Sequence, residues 1–232
     1  MLQVDHVPVC NLQPLPSSLT RLEFHGKSYG RHSEELPNSP SLPPQLLQLA
    51  GLMRLKLCDY SIPPTVLGAF TRLQSLCLEH CALLPRNAAA VGEDEDPTFS
   101  TVGTVALLDV LDRLTNLQDL ELSLEGLDTV STDPERFSAL TASTRLTRLV
   151  LNPDDAIPLP KGVAQYMFPA GGQLPLLQHL SISPELLDPE GWDADEWCLD
   201  GADVGRIAEC CTGLEWLELS LVVEPGEAVC SS

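Results

Sequence analysis

Hydrophobic positions recur along this chain at one short spacing. The pattern Leu-x-x-Leu-x-(Leu/Ile/Phe) occurs seven times: "LTRLEF" from Leu19, "LMRLKL" from Leu52, "LQSLCL" from Leu73, "LQDLEL" from Leu117, "LTRLVL" from Leu146, "LQHLSI" from Leu177 and "LEWLEL" from Leu214. In each copy the second and third apolar residues stand two apart, the alternation of a strand with one buried face. A short polar or helix-ending stretch leads into the copies, as in "AFTR", "RLTN", "ASTR" and "CCTG". Between copies the period changes. "TVALLDVLDRL" sets Leu107, Val110, Leu111 and Leu114 at helical spacing, and "DVGRIAECC" does the same with Val204, Ile207, Ala208 and Cys211. Short strands alternating with helical returns predict an α/β fold with a parallel sheet.

These copies resemble leucine-rich repeats across about residues 15 to 223. The fuller family motif is Leu-x-x-Leu-x-Leu-x-x-Asn/Cys-x-Leu. "LQSLCLEHCAL", Leu73 to Leu83, matches it at every fixed position, with Cys81 at the Asn/Cys position; Tyr60, Glu125, Asp154, Glu185 and Val222 stand there in other copies. The resemblance implies a solenoid or horseshoe, with a parallel concave sheet of about seven short strands and helices or turns on the convex side. The repeats are most similar to the intracellular, ribonuclease-inhibitor-like and F-box-associated type, which implies an adaptor role. No F-box-like helical segment is read ahead of the first copy.

The second leucines, at 22, 55, 76, 120, 149, 180 and 217, lie 21 to 44 residues apart. Insertions are therefore expected near 25–43, 85–103, 153–170 and 184–203, inside a repeat domain at 15–223. An N-terminal segment at 1–14 and a tail at 224–232 flank it. The stretch 85–116 has room for a further, decayed copy.

Composition changes this picture little; charge changes it more. At 232 residues and 44% hydrophobic, the chain can bury a substantial core. The start "MLQVDHVPVCNLQPLP" lacks the basic and apolar regions of a signal peptide, no run of about 18 apolar residues occurs, and no Asn-x-Ser/Thr sequon is present. The expectation is a cytoplasmic chain, not secreted, with reduced thiols; cytoskeleton, cilium and nucleus fit equally. The net charge of −20 is uneven: residues 1–90 hold seven Lys/Arg against six Asp/Glu, and the rest hold six against 27. Such an acidic body disfavours nucleic acid and membrane surfaces as partners.

The densest candidate chemistry is "CLEHC", Cys77 to Cys81. Register places Cys81 in the core and Cys77 on the opposite face, so the two are poor co-ligands. Cys58, Cys77 and His80 form the one set that converges on the outward face, and a metal- or thiol-dependent unit there is the alternative reading. Of the vicinal pair, Cys211 is expected in the core and Cys210 partly exposed. "GKS" at Gly26–Ser28 lacks the first glycine of a phosphate-binding loop, since Arg21 stands in its place. "DPEGWDADEW", Asp188 to Trp197, lacks the ligand order of a calcium loop. The proline spacing Pro37/Pro40/Pro43 reads as a loop.

No catalytic residue, cofactor or metal is therefore assigned. The leading expectation is a non-catalytic scaffold or adaptor that binds another protein on the concave face, monomeric or within a larger assembly. A truncated repeat array without its own partner is the third reading. Residues flanking the inward leucines should form solvent-facing columns about 4.8 Å apart from strand to strand. They nominate Arg21, Glu23, His25, Arg54, Lys56, Glu79, Asp119, Glu121, Arg148, His179, Trp216 and Glu218 as partner-binding residues.

Overall fold

In a computed structural model the described residues are 2–5, 16–25, 46, 48–83, 107–125, 134–151, 162–171, 174–182, 199 and 201–219. All nine strands among them join one sheet. The strands are β1 (Leu2–Asp5), β2 (Arg21–His25), β3 (Arg54–Cys58), β4 (Ser61–Ile62), β5 (Ser75–Leu83), β6 (Asp119–Glu125), β7 (Arg148–Leu151), β8 (His179–Ile182) and β9 (Trp216–Leu219). They lie in the order β1-β2-β3-β5-β6-β7-β8-β9, every neighbour parallel, with β4 paired to the far end of β5. The returns carry α1 (Pro64–Leu67), α2 (helical residues 107–111), a 3-10 helix (Pro134–Thr141), α3 (Ala164–Met167) and α4 (Gly201–Cys210). The class is α/β with a single parallel sheet. Among the described residues no helix is long and apolar enough to cross a membrane.

Each copy of the sequence pattern is one strand, and the second leucines are in register. Leu22 pairs with Leu55, Leu55 with Leu76, and the row continues through Leu120, Leu149, Leu180 and Leu217. From Leu22 to Leu180 these side chains are at most 1% exposed, and they form one core with Phe24, Phe70 and Phe168. At β9 the row opens: Leu217 is 42% exposed.

The lead-in to each strand is a repeated piece of backbone chemistry. The first leucine of every copy donates its amide to the carbonyl three residues before it: Leu19 to Pro16, Leu52 to Leu49, Leu73 to Phe70, Leu117 to Leu114, Leu146 to Ser143, Leu177 to Leu174 and Leu214 to Cys211, at 2.9–3.1 Å. The next two amides share a single carbonyl of the preceding copy. Thr20 takes Met53 and Arg54, Met53 takes Gln74 and Ser75, Gln74 takes Gln118 and Asp119, Gln118 takes Thr147 and Arg148, Thr147 takes Gln178 and His179, and Gln178 takes Glu215 and Trp216. These shared acceptors satisfy amides that would otherwise be orphaned at the strand entrance. Where Ser143 replaces the apolar turn residue, its buried hydroxyl donates towards the carbonyls of Thr115 (3.0 Å) and Leu117 (2.7 Å), so the polar atom is satisfied.

Several expectations need correction. The N-terminal segment supplies β1, with Leu2 opposite Leu22, so it extends the sheet. Among the described residues no strand of 85–116 stands between β5 and β6, which pair directly; Leu107, Leu111 and Leu114 are buried as part of the return. The expected insertion 153–170 contains α3, and Val163, Ala164, Met167 and Phe168 belong to the core. Helix α4 buries Asp203, Ile207 and Cys210, and not Val204 and Ala208. Its last turn docks on the neighbouring return: the Cys210 carbonyl accepts from the Leu174 amide and its thiol donates to the Pro169 carbonyl. Cys210 is thus buried like Cys211, not partly exposed. The expected insertions at 25–43 and 85–103, and all but 199 and 201–203 of 184–203, lie outside the described residues apart from His25, as does the tail at 224–232.

Candidate functional site

The face of the sheet opposite the leucine core carries the nominated residues in three columns, as the register requires. The first is Arg21, Arg54, Ser75, Asp119, Arg148, His179 and Trp216; the second is Glu23, Lys56, Cys77, Glu121, Val150, Ser181 and Glu218; the third is His25, Cys58, Glu79 and Ser123. Side chains alternate across a strand, so this placement follows from the burial of the leucines. A shallow recess of about 230 Å³ opens on this face, among Arg21, Glu23, Arg54, Lys56, Asp119 and Glu121.

Most of these charges bind one another. Arg21 pairs with Glu23 at 2.6 Å, Lys56 with Glu79, and Arg148 with Glu121 at 2.6 Å and Asp119 at 3.0 Å. Ser181 donates to Glu218 at 3.0 Å, and Ser75 to Asp119 at 3.1 Å. The early end therefore presents mostly paired charge. Arg54 differs: it is exposed and forms no ion pair with the described residues. At the far end the His179 and Trp216 rings stack at 6.0 Å with planes 3° apart, and Trp216 is 56% exposed. A wide flat ring pair of this kind offers large area that one contact can desolvate.

The columns are not uniformly solvated. Val150, Ser181, Ser123 and Cys58 are at most 6% exposed, although they project away from the leucine core. The expectation that every flanking residue faces solvent is wrong for these four.

Glu79 is the hub of the site. It stands directly opposite Cys58, and its carboxylate accepts from the thiols of Cys58 (3.0 Å to Oε2) and Cys77 (3.4 Å to Oε1) as well as from Lys56. Burial alone would raise its pKa, but the bonds from Cys58, Lys56 and Cys77 outweigh that and hold the carboxyl below its usual range. For Lys56 the same contact wins over burial and raises its pKa. Burial pushes the Cys77 thiol up, and the neighbouring Glu121 and Glu79 charges push it further against the pull of Lys56. Burial and Glu79 do the same to Cys58. Both thiols are protonated at neutral pH, the opposite of an activated nucleophile.

His80 is not among the donors that converge here. The register of β5 against β6 shifts between Glu79 and Cys81, and His80 sits in that bulge with φ 50°. Asp59, the matching corner after β3, has φ 59° and donates its amide to the Glu79 carbonyl. The corner turns Cys81 inward, where it is fully buried and bonded to the carbonyls of Leu57 and Glu79. Burial raises its thiol to about 12. The donors that do converge are Cys77, Glu79 and Glu121, whose ligand atoms lie within 4.8 Å of one another. Sequence alone passed over Glu121 here; the signal was available in the aligned copies, which set it beside Cys77.

No family model matches the chain, and no curated protein matches it significantly.

Proposed function

We propose that the chain is a leucine-rich repeat solenoid that acts as a non-catalytic scaffold, binding another protein on the open face of its sheet. One observation carries this reading: a single parallel sheet runs the length of the repeats with one face sealed by leucine from β2 to β8 and the other presenting polar, charged and aromatic side chains in register. The seven identical turns and six shared carbonyls before the strands support a stack of equivalent modules, in which each repeat packs on its neighbours. Seven adjacent strands span roughly 30 Å at about 4.8 Å each, enough for a standard protein interface. Protonated thiols on this face support a scaffold over a thiol-dependent enzyme.

The anchors are Arg54, whose guanidinium is in no ion pair among the described residues, and the His179–Trp216 stack. The paired charges between them set register and exclude mismatched partners. The test is capture from a lysate with wild type, an Arg54→Glu/Trp216→Ala variant and an Arg113→Glu control, each with unchanged circular dichroism, followed by pairwise binding of the purified proteins. A partner held by wild type and control and at least tenfold weaker on the double variant supports the reading. A partner bound equally by all three removes the open face from consideration.

A further inference from the structure

The densest group of donor atoms on the open face is not explained by protein docking. Cys77 stands between Lys56 and Glu121 on three adjacent strands, and Cys58 stands opposite Glu79 one pleat further on. Oxygen and sulfur donors thus gather across β3, β5 and β6: three converge, and Cys58 adjoins them through Glu79. Cys77, Glu79 and Glu121 bring their ligand atoms within 4.8 Å of one another. Cys58 Sγ lies 3.0 Å from Glu79 Oε2 and Cys77 Sγ 3.4 Å from Glu79 Oε1. In tetrahedral zinc coordination, bonds of about 2.0–2.3 Å separate neighbouring ligand atoms by about 3.3–3.8 Å. Cys77, Glu79 and Glu121 therefore need shifts of about one ångström, while Cys58, outside that group, must turn its thiol from Glu79 Oε2 towards them.

We infer that Cys58, Cys77, Glu79 and Glu121 form a binding site for one soft divalent cation of the zinc type on the open face. The donor set is two sulfurs and two carboxylates, which suits zinc or cadmium and not the oxygen-loving calcium or magnesium. Binding replaces the two S–H···O bonds by metal–sulfur bonds: each thiol gives its proton to solvent, and the cation takes the freed sulfur lone pairs. Two thiolates, two carboxylates and one divalent cation leave a charge of −2. Lys56 on Glu79 and Arg148 on Glu121 supply two positive charges in the surrounding shell; Arg148 also serves Asp119, so they offset part of that charge. Both cations already hold one oxygen of their carboxylate: Lys56 takes Glu79 Oε1, and Arg148 takes Glu121 Oε2 at 2.6 Å. Such outer contacts orient ligands. The site has all four ligands from protein, the closed arrangement of a structural rather than catalytic ion. It stands whether or not the face binds a protein.

The test uses the reduced full chain, stripped of metal, titrated with zinc by calorimetry and with cadmium and cobalt by absorption. One ion per chain is expected, with a cadmium–thiolate charge-transfer band sized for two thiolates and cobalt bands of tetrahedral intensity. Cys77→Ser, Cys58→Ser and Glu121→Gln should each weaken zinc by about 10–100-fold or more, while Asp109→Asn, far from the site, leaves it unchanged. Glu121→Gln is isosteric, so it decides the matter if a cysteine variant fails to fold. No uptake by wild type, or uptake of equal affinity in Cys58→Ser and Glu121→Gln, overturns the assignment.

Discussion

The sharpest consequence of the fold concerns one row of leucines. Leu149 on β7 and Leu217 on β9 occupy the same position of the repeat, two rungs apart, with Leu180 between them. Leu149 is fully buried and Leu217 is 42% exposed. Truncating Leu149 to alanine removes its transfer free energy and leaves a cavity enclosed by strands on both sides, a loss of about 3–4 kcal/mol. At Leu217 only part of the side chain leaves water on folding, and solvent fills any space that truncation opens. The loss there should be about 1 kcal/mol. Urea unfolding followed by circular dichroism, fitted with slopes as well as midpoints, measures both values. Two variants with equal losses would mean that the end of the row is sealed as tightly as its middle. A Leu149→Ala loss below about 1 kcal/mol would mean that the row is not the core.

Two further outcomes follow from single side chains. Ser143→Ala leaves the carbonyls of Thr115 and Leu117 without their hydroxyl donor and should cost about 1–3 kcal/mol by urea unfolding; a neutral result would show that water replaces it. Iodoacetamide should label Cys77 at pH 8 more than about tenfold slower than an unperturbed cysteine, because burial and the Glu121 and Glu79 charges keep its thiol protonated. Glu79→Gln removes one of those charges and should speed labelling; peptide mass spectrometry reads Cys77 apart from Cys81, and slower labelling in that variant would reverse the assigned cause.

Much of this arrangement could be read from the chain before any coordinates. Aligning the second leucines predicts the pairing of Leu22 with Leu55 and onward to Leu217, because a parallel stack of equivalent turns permits one register. Cys77 outward and Cys81 inward follow from the same alternation. What stayed hidden depends on packing at a distance. β1 carries only "LQVD", without the leading leucine, so nothing marks it as a rung. The buried side of α4 is set by where its last turn meets Pro169 and Leu174, not by its own apolar spacing, which is why Asp203 and Cys210 face in. Sequence groups His80 with Cys58 and Cys77 on the outward face, but the left-handed corner at His80 interrupts the strand alternation. Glu79 as the junction of Lys56, Cys58 and Cys77 needed side-chain reach as well as register.

The carbonyls shared between successive copies carry a lesson about how such a chain can change. Each strand takes its entrance geometry from one acceptor in the copy before it, whatever path the backbone takes between them. The returns, which differ in length by more than twofold, all end on the same bond pair. Doubling a flexible return costs only about 0.6 kcal/mol of closure entropy. Changes in the length of a return are therefore cheap wherever its buried residues, such as Phe70, Leu114 and Phe168, are kept. The molecule remembers its shape one rung at a time, and the exposed stretches between rungs are where it can vary.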